Sequence, residues 1–285
     1  MSQKRAHQAR KVPARKAPAR KAVAGTPGWV GPAAVGAFLV LVFAAFLVIR
    51  WYTTPLPVNT PPPNEDQQVI AQITSLPASE FESIGQGTAN NLIKPVTGTP
   101  LTGRTGKPEV FYLGGEFCPY CAAERWPLII ALSRFGTFSG LQSSASSASI
   151  EYPNTPTFTF HGATYASQYL DFRGIETSDR DRNPLDTPTA AEEQLFTKYN
   201  GQGTIPFVDI GNRYAFTGAT YSPEMLGGQS WQAVADELKD PSSPQATAII
   251  GSANLLTAAI CKITADQPAS VCSSATIQSL EKKVG

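Results

Sequence analysis

The chain has 285 residues and 42% hydrophobic content, more than one average domain, to be shared between a membrane span and a soluble core. Its formal net charge of +1 hides an asymmetry: the stretch through Arg50 carries 9 basic and no acidic residues, leaving 14 basic against 22 acidic, net −8, from Trp51 onward. An acidic domain argues against nucleic acid as a partner, and a basic tail before an apolar span is explained by membrane topology and anionic head groups.

Residues 1–28 repeat Ala, Pro, Lys and Arg, a composition that buries no core, and are expected to form a disordered basic cytoplasmic tail. Residues 29–50 hold the expected transmembrane anchor. Val30 to Ile49 contain no charged side chain, and at about 1.5 Å per residue the stretch is about 30 Å long, the thickness of a bilayer's hydrocarbon core. The long polar region before it, with no small-x-small site after Leu47, favours an uncleaved signal anchor over a cleaved signal peptide. The basic residues from Lys4 to Lys21 then keep the N-terminus cytoplasmic, giving a single-pass protein of the cell membrane whose C-terminal domain is extracytoplasmic. Residues 51–66 read as a Pro-rich linker: Trp51 and Tyr52 suit the interface, and Pro55, Pro57, Pro61, Pro62 and Pro63 form a stiff spacer.

Residues 67–285 form the expected domain. A helical stretch covers Val69 to Leu76, and Val110-Phe111-Tyr112-Leu113, bounded by Pro108 and Gly114-Gly115, reads as a buried strand. Glu124 to Phe135 is helical in composition, with a kink expected at Pro127 and an end at Gly136. Ser139 to Ser149 reads as a loop, Thr157 to Phe160 as a half-buried strand with Tyr169 to Phe172 as its neighbour. Thr189-Ala190-Ala191-Glu192 matches a capping box opening a helix to about Tyr199. Ile205 to Phe216 reads as a β-hairpin around Gly211-Asn212, and Trp231 to Leu238 and Gln245 to Ile263 as helices.

The chemistry lies in Cys118-Pro119-Tyr120-Cys121, a C-x-x-C pair after a strand and at the start of a helix. The three-residue step lets one sulfur reach the other, and the helix N-terminus offers free amides and partial positive charge that favour the thiolate at Cys118. Pro119 suits the first helical turn because it has no amide to leave unpaired. Cys118 is expected to be the exposed attacking thiol and Cys121 the resolving one, with Glu116, Glu124 and His161 as possible proton partners. Thr204-Ile205-Pro206 enters the hairpin, where a proline at a strand's first residue is tolerated and a cis bond would turn the Ile205 backbone outward.

Cys118-Pro119-Tyr120-Cys121 has the form of the glutaredoxin motif and is close to that of DsbA-like oxidases, and with Thr204-Ile205-Pro206 it resembles the thioredoxin superfamily. The resemblance implies an α/β thioredoxin-like fold, here with an insertion at about residues 139–188 and preceded by a single N-terminal transmembrane helix. It implies that Pro206 faces the cysteines, that Ile205 pairs its backbone with a substrate peptide, and that Thr204, Pro119 and Tyr120 contact substrate. The strings Phe117 to Trp126 and Thr155 to Phe158 look like the membrane-anchored family called domain of unknown function 929, over about residues 65 to 280, which carries no assigned activity. One departure is Tyr112, six residues before Cys118, where thioredoxins and DsbA-like proteins often hold a buried acid.

Cys261 and Cys272 read as a structural disulfide stapling two helices, with an electron shuttle to Cys118 and Cys121 as the less favoured reading. Joined to the first pair in a zinc site they would give a zinc-stabilised structural domain, but their ten-residue gap is long for a zinc knuckle, and no metal or other cofactor is expected. The expected function is thiol–disulfide exchange with exported protein thiols and disulfides, supported by a membrane or soluble redox partner, with the direction left open. The alternative is a redox-inactive thioredoxin-like binding or chaperone module.

Overall fold

The computed structural model describes residues 42–45, 47–48 and 63–284. The basic tail lies outside the described residues, as does the anchor expected over Val30 to Ile49 except for the helical positions 42–45 and 47–48, where Phe43 is 64% exposed. The elements of the domain are α1 (Pro63–Thr74), α2 (Ala78–Ile84), β1 (Lys94–Pro95), β2 (Glu109–Gly114), α3 (Pro119–Ser133), β3 (Gly136–Ser139), β4 (Gln142–Ala145), β5 (Pro156–Thr159), β6 (Thr164–Ser167), β7 (Asp171–Glu176), α4 (Ala190–Tyr199), β8 (Phe207–Ile210), β9 (Tyr214–Thr217), a 3-10 turn (Pro223–Leu226), α5 (Trp231–Glu237), α6 (Pro244–Ile263), α7 (Ala269–Cys272) and α8 (Ala275–Val284). The last residues of the expected linker are thus already helical.

A five-stranded mixed sheet in the order β1-β9-β8-β2-β7 organises the domain. β2 sits between a parallel neighbour, β7, with Glu109 opposite Asp171 and Gly114 opposite Glu176, and an antiparallel one, β8, with Val110 opposite Ile210. Alternation along β2 sends Val110 and Tyr112 into the larger core, shared with α3 and α6, and Phe111 and Leu113 into a smaller one with Leu195 and Phe196 of α4. Helices cover both faces, which is why this strand reads as an unbroken apolar run. β8 and β9 form the expected hairpin, and both Gly211 and Asn212 hold the left-handed backbone its turn demands, at φ 67 and 53.

Pro127 does not end α3, which continues to Ser133. A proline there leaves the carbonyl four residues earlier, that of Ala123, without its intrahelical donor, and the Tyr221 hydroxyl donates to it at 2.8 Å. Gly136 opens β3 rather than closing the helix, because a Cβ there would run into the Ala166 carbonyl on β6.

The stretch expected to be a loop, Ser139 to Ser149, contains β4, which pairs with β5 through Ser143 opposite Phe158. Ladder bonding holds a strand of low intrinsic propensity. Tyr169 to Phe172 is not hydrogen-bonded to the 157–160 strand as its ladder partner, although the Phe160 and Phe172 rings meet at 4.9 Å; the chain there enters β7, paired with β2. The region about residues 139–188 therefore supplies a strand of the central sheet, β7, besides the β4–β5 ribbon and the β6 partner of β3.

Pro244–Ile263 is the one helix among the described residues long and apolar enough to cross a membrane, but 83% of its apolar window is buried inside the fold. It packs against α3 and α8 and reads as a core helix. Cys261 near its end is bonded to Cys272 at the end of α7, with an S–S distance of 1.99 Å.

Candidate active site

Strand β2 delivers the chain to the end of the sheet where Gly114 and Gly115 turn it. A side chain at Gly114 would collide with the Tyr112 hydroxyl and one at Gly115 with the Phe117 ring, so the turn needs both glycines. Cys118 then caps α3 from an extended backbone, φ −83 and ψ 124, and Pro119 takes the first helical position. The Cys121 amide donates to the Cys118 sulfur at 3.4 Å. On its other side the Cys118 thiol donates to the Ile205 carbonyl at 3.8 Å. The Ile205–Pro206 peptide is cis, and Pro206 is buried with its own carbonyl receiving the Gly218 amide at 2.9 Å.

The two thiols are unequal. The Cys121 thiol donating to it, outweighing burial and joined by the Cys121 amide and the Arg125 charge, lowers the Cys118 pKa to about 7. Burial, then the bond to Cys118, raises that of Cys121 far above the ordinary thiol range. Cys121 is fully buried, and Cys118 is only 7% exposed rather than the open thiol expected, because its sulfur is turned toward Ile205. Tyr120, between them, is 39% exposed.

One helical turn below Cys121 lies Arg125, fully buried and bound to Glu176 at the end of β7 by two hydrogen bonds of 2.7 and 2.6 Å. Burial disfavours the guanidinium charge, but Glu176 and Tyr112 more than restore it, so its pKa stays above the usual arginine value. Its charge acts on both thiols. The Tyr112 ring lies 5.8 Å from this guanidinium, and burial raises the Tyr112 hydroxyl pKa well above its usual value. Both the Tyr112 hydroxyl and Arg125 Nη1 are buried without a hydrogen-bond partner among the described residues. Arg125 and Glu176 were not among the expected site, and Tyr112 entered it only as the departure from a buried acid.

Of the candidate proton partners, Glu116 accepts from Ser144 Oγ at 2.9 Å and His161 Nδ1 lies 2.8 Å from Asp186. Glu124 is fully buried, accepting at 2.8 Å from both the amide and hydroxyl of Thr220, and burial pushes its pKa up to about 8. Thr204 is exposed and turned to Asn200, whose carboxamide oxygen receives its amide at 3.1 Å. The structure thus gathers Cys118, Pro119, Tyr120, Cys121, Ile205 and Pro206 at one end of the sheet. Cys261 and Cys272, buried among the C-terminal helices, belong to a separate part of the fold. A cavity of about 520 Å³ opens at the far end of β2, beside Glu109 and Asp171.

A family model described as Domain of unknown function (DUF929) matches residues 96–262, and the chain belongs to that family. The match contains both cysteines of the pair, Arg125, Glu176 and Pro206. No curated protein and no solved structure matches the chain.

Proposed function

We propose that this DUF929 member is a membrane-anchored, extracytoplasmic thiol–disulfide oxidoreductase of thioredoxin-like fold, exchanging disulfides with exported proteins through Cys118 and Cys121. The observation that carries the reading is the setting of Cys118: its sulfur caps α3, takes the Cys121 amide and faces the Ile205 carbonyl. The sheet order supports it as well. A strand leading to the cysteines, a parallel partner, a covering helix and then Pro206 before an antiparallel hairpin follow the arrangement that the superfamily resemblance implies.

In the exchange, the Cys118 thiolate attacks one sulfur of a substrate disulfide, and the other substrate sulfur leaves as a thiolate. Ionisation of Cys118 removes its bond to Ile205 O, leaving that carbonyl free for a substrate amide. Cys121 then loses its proton and attacks the Cys118 sulfur, closing the Cys118–Cys121 disulfide and releasing the second substrate thiolate. Two electrons pass to the substrate; a dithiol protein resets the pair, and the same steps run backward oxidise a substrate dithiol. The zinc-stabilised alternative lacks support, since Cys261 and Cys272 are bonded to each other and two thiolates fall short of a tetrahedral set.

The basic tail and the span at Val30 to Ile49 would hold the domain outside the membrane. Reduction of insulin disulfides by the full chain, with a dithiol as reductant, tests the reading: turnover that disappears in Cys118→Ser is expected, and turnover that survives the substitution overturns it.

A further inference from the structure

Tyr120 is the one large apolar side chain of the described residues from Pro63 onward that is left exposed, and it stands next to Cys118 and Pro119. Against it lies Tyr152, with ring centroids 6.2 Å apart at 84°. Tyr152 holds a left-handed backbone, φ 53, which a bulky aromatic residue rarely adopts and which persists only where surroundings impose it. The imposition is visible. Ser146 Oγ and Thr155 Oγ1 both donate to the Tyr152 carbonyl, at 3.0 and 2.8 Å, and the Ser147 amide donates to the Phe117 carbonyl at 3.0 Å, tying the loop to the cysteine turn.

The loop thus fixes, against Tyr120 of the cysteine turn, an aromatic ring that the core does not use. Glu151, adjacent in the chain, and Glu224 are both exposed, and the Tyr152 hydroxyl pKa is raised chiefly by the Glu151 charge, with Glu224 adding a smaller effect. Of the cations at this end, Arg180 is engaged with Asn154 at 2.8 Å and Arg182 lies over the Phe117 ring at 4.3 Å. An aromatic face bordered by carboxylates on a domain of net negative charge fits a cationic side chain.

We propose that Tyr120 and Tyr152, with Glu151 and Glu224, form the substrate-docking surface, selecting polypeptides that carry lysine or arginine beside the reacting cysteine. The inference rests on exchange at Cys118. It is tested with the full chain on three peptide disulfides that differ in one residue next to cysteine, lysine, glutamine or glutamate, and on hydroxyethyl disulfide, which has no side chain to dock. The expected kcat/KM is roughly tenfold higher for the lysine than for the glutamate peptide, with the ratio falling toward one at high salt. The Glu151→Gln/Glu224→Gln variant should lose that ratio, and Tyr152→Ala should slow the lysine peptide while sparing hydroxyethyl disulfide. Equal rates on the three peptides, or a preference that survives in the double variant, overturns the docking surface while turnover of hydroxyethyl disulfide leaves the exchange reading intact. Loss of all turnover overturns both.

Discussion

The Cys118 sulfur meets the Ile205 carbonyl at 3.8 Å across 87 positions of chain. The contact makes the pair asymmetric, one sulfur at the edge of the fold and the other sealed beneath it. With the Cys118 pKa at about 7 and that of Cys121 far higher, alkylation of the reduced protein should follow Cys118 alone. Iodoacetamide should modify it with a half-maximal rate near pH 7, while peptide mapping finds Cys121 unmodified in the native state. A midpoint near 9, the ordinary thiol value, would be the contrary result.

The same asymmetry separates the two serine variants. In Cys121→Ser the attack on a substrate disulfide has no resolving step, so a covalent adduct through Cys118 should accumulate and disappear on adding a dithiol. Cys118→Ser should form none, because Cys121 is fully buried and its thiol stays protonated. Non-reducing gels of the two variants incubated with an oxidised protein measure this directly.

Arg125 and Glu176 predict opposite electrostatic effects. Glu176→Gln keeps an acceptor for the guanidinium and removes a buried negative charge, so the Cys118 alkylation midpoint should fall below its starting value near 7. Arg125→Met removes the positive charge, should raise the midpoint, and should destabilise the fold by about 3–5 kcal/mol because Glu176 is left buried and unpaired. Urea denaturation and alkylation of each variant give the two readouts.

The strand, capping box, hairpin and C-x-x-C were legible because each rests on local chemistry: an apolar run between breakers, a Thr and a Glu three residues apart, a Gly-Asn turn, a proline at a helix start. Arg125 carried a signal of its own, standing with Glu124 as the two charges in the otherwise apolar run from Ala122 to Leu132, but its partner Glu176 lies 51 positions away and only the β2–β7 pairing brings it close. β4 was missed for a related reason, since Ser-rich sequence gives no strand signal and partner β5 alone makes it one. Openness at Cys118 was misread because a helix N-terminus predicts charge preference and says nothing of what lies opposite, here Ile205.

The Cys261–Cys272 bond closes a loop across a sequence separation of 11 between α6 and α7. Closing a loop of that size stabilises by about 3 kcal/mol in the chain-entropy model, and both residues are nearly inaccessible, at 0% and 1% exposed. A staple fits better than a shuttle. Cys261→Ala/Cys272→Ala should lower the unfolding free energy by about that amount and leave the alkylation rate and midpoint of Cys118 unchanged; a change in Cys118 turnover at constant folding would mark the pair as redox-coupled.

Glu124 gives the fold a pH dependence of calculable sign. Its native pKa is pushed up to about 8 by burial, from an ordinary 4.5. Below pH 4.5 both native and unfolded states hold the proton and the group costs nothing. Between that value and about 8 the unfolded chain releases a proton that the native state keeps, so stability is lost as pH rises, and above 8 the loss is complete, at most about 5 kcal/mol. Gln at this position still accepts from the Thr220 amide and hydroxyl, now 2.8 Å from Glu124 Oε2, and cannot ionise. Other titrating groups, Glu109 and Asp209 among them, are common to both proteins, so the measured quantity is the difference in unfolding free energy between Glu124→Gln and the natural chain. That difference should move in favour of the variant from pH 5 to pH 9; a difference independent of pH would mean that Glu124 keeps an ordinary carboxylate pKa despite its burial.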